Sequence, residues 1–138
     1  MKANELRVGN WVYGDGGAYS KIVGIKLFGN VVNNEIDIYS KDNGEGVEWV
    51  LSISKLSPIP LTEEMLLKCG FKRVPKHLYV DNLKDLRTAV TYLKGSIIWN
   101  ESTRIVWVGN IALDNIKYLH ELQNLYFAIT GEELEVKL

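Results

Sequence analysis

The chain has 138 residues, 46% of them hydrophobic and 24% charged, with 16 Lys or Arg against 17 Asp or Glu and a net charge of −1. Those fractions exclude wholesale disorder and suit one domain, or two small ones sharing a core. The balanced charge argues against duplex nucleic acid as a partner, and a single Cys with two His argues against a disulfide framework or a structural zinc site.

Eight of the 12 Gly lie in residues 1–46, while Pro58, Pro60 and Pro75 come just beyond. The first part therefore reads as short strands between Gly- and Asn-rich turns. Val8 to Tyr13 is followed by the turn Gly14-Asp15-Gly16-Gly17. Tyr19 to Leu27 ends at Gly29-Asn30, Glu35 to Tyr39 ends near Asp42-Asn43-Gly44, and Val47 to Ile53 follows. So few short strands bury a core most readily by curling, which predicts an SH3-like β-barrel over residues 1–57. Ser57-Pro58-Ile59-Pro60 is a stiff extended connector.

Residues 58–138 form the second part. Thr62 caps a short helix with Glu63 and Glu64 in its first turn, Lys68 in its last, and Gly70 as its stop. Residues 82–94 carry both a helical Leu/Val spacing and the strand-like run Thr88 to Tyr92; strands are the preferred reading. Ile97 to Trp99 and Arg104 to Val108 make a hairpin, in which Trp99 faces Arg104 if Glu101-Ser102 is the centre. Asp114 caps a long helix over residues 115–129, stopped by Gly131. At 100° per residue, Tyr118, Leu119, Leu122, Leu125, Tyr126 and Ile129 share an apolar arc, with Lys117, His120, Glu121 and Asn124 opposite. That arc predicts a helix lying over an antiparallel β-meander, or a homo-oligomer if it is left exposed. Glu135 to Leu138 fits a final edge strand. The whole is an α+β chain with no apolar run near the roughly 18 residues of a membrane span and no signal-peptide pattern, so a cytoplasmic protein without a membrane partner is expected.

Few residues point to chemistry. His120 and Asn124 are an i, i+4 pair able to present an imidazole and an amide to a ligand, but hydrogen bonds to a neighbouring loop are the favoured reading. His77 lies in a loop-like stretch without a partner for general-base work. Cys69 sits on an apolar helix side, where thiols are usually inert. No metal-ligand spacing or Gly-rich strand-to-helix loop occurs, so neither a cofactor nor a catalytic set is expected. The most informative feature is Lys68 to Lys94, which holds seven cations, Arg73 and Arg87 among them, against Asp81 and Asp85. Its local charge of +5 within a chain of −1 suits a phosphate-holding face or pocket, the alternative being a solvated surface. His77, Tyr79, Tyr92 and Trp99 lie in or beside it as candidates for base stacking, and Arg104 is the next cation along. Trp11, Tyr13, Tyr19 and Trp49 either line an aromatic groove for an extended peptide or fill the small core, and core filling is favoured.

Three stretches carry a resemblance: Lys2 to Val12 (KANELRVGNWV), Pro58 to Phe71 (PIPLTEEMLLKCGF) and Tyr118 to Leu134 (YLHELQNLYFAITGEEL). Their order and spacing resemble a family of small uncharacterised proteins from prophages and mobile elements of Bacteroidetes; residues 72–112 lie outside the resemblance. It implies a bacterial cytoplasm and a phage accessory gene, and it carries over no site residues. The expected function is a non-catalytic binding protein that sequesters a nucleotide-type immune signal in counter-defence. The alternatives are a protein- or nucleic-acid-binding SH3-like adaptor and an unrecognised hydrolase.

Overall fold

The computed structural model describes residues 1–27, 36–42, 48–74 and 90–138. The fold is mixed α+β, with two antiparallel sheets and one long helix. Two compact units divide the chain: residues 1–60 with 118–133 and 138, and residues 61–117 with 134–137.

In the first unit, β1 (Trp11–Tyr13), β2 (Tyr19–Leu27), β3 (Ile36–Asp42) and β4 (Glu48–Ser52) pair in sequence order. Strand alternation turns Val12, Ile22 and Ile38 to one face, where they form a core with Leu6 and Leu56; Ile25, Leu51 and Ile53 pack against it. Burying such a side chain contributes about 1.5–3 kcal/mol. The register of β2 against β3 shifts between Ile22 and Gly24. After β4, a 3-10 turn at Ile53–Lys55 brings the chain back to β1, where Tyr13 and Ser57 exchange backbone hydrogen bonds of 2.8 and 2.9 Å. Among the described residues the strands form an open four-stranded sheet with this single return, and not a closed barrel.

The long helix, α2 (Leu119–Thr130), belongs to this first unit. It starts four residues later than Asn115, because Tyr118 is held extended by its bridge to Pro60 and by Leu119 N–H donating to the Ile59 carbonyl at 2.8 Å. Glu121 Oε2 accepts from Tyr118 N at 3.0 Å and fixes the new start. The buried stripe is also displaced. Leu119, His120, Leu122 and Gln123 are buried, whereas Ile129 is 41% exposed. The cause is the partner: α2 docks on β1 and the segment before it, where a meander face was expected, and turns its amide side chains inward.

In the second unit, α1 (Glu63–Lys68) begins as the sequence predicts, with Thr62 Oγ1 accepting from Met65 N at 3.2 Å. Lys94 Nζ donates to the Cys69 carbonyl at 2.5 Å, satisfying a group just past the helix end. The meander then runs β5 (Lys72–Val74), β6 (Thr91–Lys94), β7 (Ile97–Asn100), β8 (Val106–Val108) and β9 (Ile111–Leu113). Residues 91–94 are strand; the rest of the ambiguous stretch 82–94, apart from Val90, lies outside the described residues. Glu135 to Leu138 forms no strand, its Lys137 N–H instead meeting the Lys68 carbonyl at 2.9 Å.

Candidate functional site

The residues singled out from sequence fall into both units. In the second, Tyr92 and Trp99 are register partners on β6 and β7, both buried, with ring centroids 5.7 Å apart and tilted by 55°. Their faces meet each other inside the sheet layer and are not presented to a base. Burial, reinforced by the nearby Glu63 carboxylate, pushes the Tyr92 phenol up to about 12. Arg73 is exposed on β5, in register with Tyr92. Arg104 does not face Trp99. Asn100 Oδ1 accepts from Thr103 N at 3.0 Å, and Asn100 O from Arg104 N at 2.8 Å, building a turn that sets Trp99 against Val106. Arg104 closes that turn in a left-handed conformation, φ 55°, and is exposed. His77, Tyr79 and Arg87 lie outside the described residues.

In the first unit, Asn124 is a clamp. Its Oδ1 accepts from Asn10 Nδ2 at 3.0 Å and its Nδ2 donates to the Glu5 carbonyl at 2.8 Å. Gln123, the neighbour of Asn124 on α2 and not singled out from the sequence, spans the edge of β1: its Oε1 accepts from Trp11 N at 2.8 Å and its Nε2 donates to the Gly9 carbonyl at 3.2 Å. The amide thus stands in for the next strand. Arg7 lies 4.1 Å from the Phe127 ring centroid and pairs with Glu133. His120 is buried with both ring nitrogens unpartnered, its ring stacked on Tyr118 at 6.0 Å. Burial lowers its pKa and keeps it neutral. Cys69 is likewise inert, its thiol pushed up to about 12 by burial.

A different surface combines charge with aromatic rings. Register places Trp11 beside Lys21, Lys21 directly opposite Lys41, and Tyr13 opposite Tyr19, on the face of the sheet opposite Val12, Ile22 and Ile38, although Trp11 itself is buried at 7% exposure, as core filling predicts. The Tyr13 and Tyr19 rings are 5.3 Å apart at 30°, and Lys21 Nζ lies 5.9 Å from the Trp11 ring. Like charges set directly opposite on a sheet repel. Neither lysine has an ion-pair partner among the described residues, although Glu48 stands in register with Lys41. Tyr13 also lines a hollow of about 470 Å³ with Gly14, Asp15, Gly16, Gly17, Lys55 and Ser57. Gly16 and Gly17 sit at φ 78° and 81°, so the loop rim is built from residues for which that backbone costs little. A third cation, Lys55, lines the same hollow as Tyr13. Trp49, by contrast, is in register with Ser40 on the core side and is 51% exposed at the sheet edge.

The lysine pairing was not legible from the sequence, because it depends on the irregularity at Ile22–Gly24, which decides which β3 residue meets Lys21. The aromatic half was legible, since Tyr13 and Tyr19 flank an evident turn. Among the described residues no three His, Cys, Asp or Glu side chains converge as a metal-ligand set. No helix among them is long and apolar enough to cross a membrane. No family model, curated protein or solved structure matches the chain.

Proposed function

We propose that the protein is a non-catalytic binding module for a nucleotide-type ligand, held on the outer face of β1–β3 and in the adjoining hollow. The observation that carries this reading is the Lys21–Lys41 pair beside the Tyr13–Tyr19 rings. A phosphate between the two ammonium groups relieves their repulsion, and a base stacks on the tyrosines, an arrangement that tolerates any base because every base has a π-face. Lys55 supplies a second phosphate contact from the hollow, whose volume is in the range of small-ligand sites. The +5 segment is a weaker candidate than its charge suggested: Lys68 is paired with Glu64 at 2.8 Å, Lys94 caps α1, and the Tyr92 and Trp99 rings are buried.

The same chemistry has two sources, a free signalling nucleotide and a single-stranded nucleic acid. The prophage resemblance favours the first, as a counter-defence protein of a bacterial cytoplasm that sequesters its ligand. The return of the chain from a 3-10 turn to β1 at Ser57 supports an SH3-like reading of the first unit, and the adaptor alternative uses this same face.

The test is equilibrium binding of cyclic dinucleotides, ADP-ribose and a labelled single-stranded oligonucleotide to the wild type and to Lys21→Gln/Lys41→Gln. The variant should lose at least about tenfold in affinity, about 1.4 kcal/mol, with no fall in melting temperature, since it removes a repulsion. Arg73→Gln/Arg104→Gln should bind as the wild type does. Unchanged affinity in the lysine variant overturns the site, and recovery of a chemically altered ligand overturns the non-catalytic reading.

A further inference from the structure

We infer that β4 is a self-association edge, through which two copies pair antiparallel about Val50 into one continuous eight-stranded sheet. The two edges of the four-stranded sheet differ. That of β1 is covered, by Ser57 on Tyr13 and by the Gln123 amide on Trp11 and Gly9. That of β4 has no strand partner among the described residues, and Trp49 and Val50 on it are 51% and 53% exposed. An open edge carrying large apolar side chains is a template for another strand.

The occupant is a second copy because the strand is self-complementary. In a two-fold pairing about Val50, Val50 meets Val50, Trp49 meets Leu51, and Glu48 meets Ser52, so no like charges oppose each other. Trp49 shows what the isolated sheet lacks. Its register with Ser40 and Ile22 directs it to the core side, yet it is half-exposed, no strand lying beyond β4 among the described residues. Leu51 of the second copy, itself packed against the core cluster, would cover that indole and carry the core across the junction. A junction of one five-residue strand is small, so association is weak and depends on concentration. A two-fold axis normal to the sheet leaves both Lys21–Lys41 faces on the same side, but the inference does not depend on any ligand.

Sedimentation equilibrium from about 1 to 300 μM tests it, a range spanning the affinities expected of so small an interface. The wild type should rise from its 15.7 kDa monomer towards twice that mass. Val50→Lys, which sets two ammonium groups against each other at the axis, should stay monomeric with an unchanged circular dichroism spectrum. Val50→Glu should do the same alone, and an equimolar mixture of the two variants should recover the dimer. A wild type that stays at monomer mass throughout, a Val50→Lys chain that dimerises like the wild type, or a mixture that does not associate would each overturn the inference.

Discussion

At the scale of single residues, two side chains on α2 show how burial changes what a polar group does. His120 has the composition of a switch and the environment of a core residue: it is 1% exposed, its nitrogens lack partners, and it stacks on Tyr118. Burial lowers its pKa; Glu121 and Glu5 oppose that shift and the chain's amino terminus adds to it. The unfolded chain therefore binds the His120 proton more readily than the folded one. Stability is lost as pH falls through the unfolded value of about 6.5 and continues to fall until the lower folded value is reached. His120→Phe keeps a ring against Tyr118 and removes the titration. Its melting temperature should fall less than that of the wild type between pH 7.5 and 5.5, both ends being chosen to bracket an ordinary histidine. Equal slopes would place the acid sensitivity elsewhere. Gln123→Ala leaves the Trp11 N–H and the Gly9 carbonyl without their partners at a covered edge. At about 1–3 kcal/mol for each of the two orphaned groups, urea denaturation should show a loss of roughly 2–6 kcal/mol. A loss under about 0.5 kcal/mol, the ordinary effect of a surface change, would mean that water replaces the amide.

At the scale of elements, what was legible in the sequence is what local chemistry decides. β1 and β2 stand on either side of the Gly14–Gly17 turn as apolar alternation there predicts, and α1 begins just after Thr62 because its hydroxyl satisfies an orphan N–H of the first turn. What was not legible depends on partners distant in the chain. The polar side of α2 reads as solvated only if nothing polar docks on it; Asn10, Trp11 and the Glu5 and Gly9 carbonyls do dock there, some 112 to 119 positions away in sequence. The apolar arc predicted for the helix was drawn for a sheet face and met an edge. The Trp99 register failed for a local but equally specific reason, since the Asn100 side chain holds a turn that pairs Trp99 with Val106. Of the candidate site, the tyrosines at a turn were visible and the opposed lysines were not, because opposition is a property of two strands in register.

At the scale of the whole molecule, the two units divide structure and surface chemistry between them. Among the described residues the second holds Phe71, Tyr92 and Trp99 inside, with Arg73 exposed on β5 and Arg104 on a turn. The first holds lysines and tyrosines together on one face beside a hollow. A net charge of −1 shows none of this, since a ligand meets the local arrangement rather than the sum. Phosphate contacts of this kind weaken with salt, so affinity should decline steadily with ionic strength while the stacking contribution persists. The most direct measurement is a nitrogen–proton NMR titration of the full chain with the nucleotide that binds most tightly. The largest amide shifts should fall at Tyr13, Tyr19, Lys21, Lys41 and Lys55 and vanish in Lys21→Gln/Lys41→Gln; shifts centred on Arg73 and the Arg104 turn, or none with any nucleotide, would contradict the account.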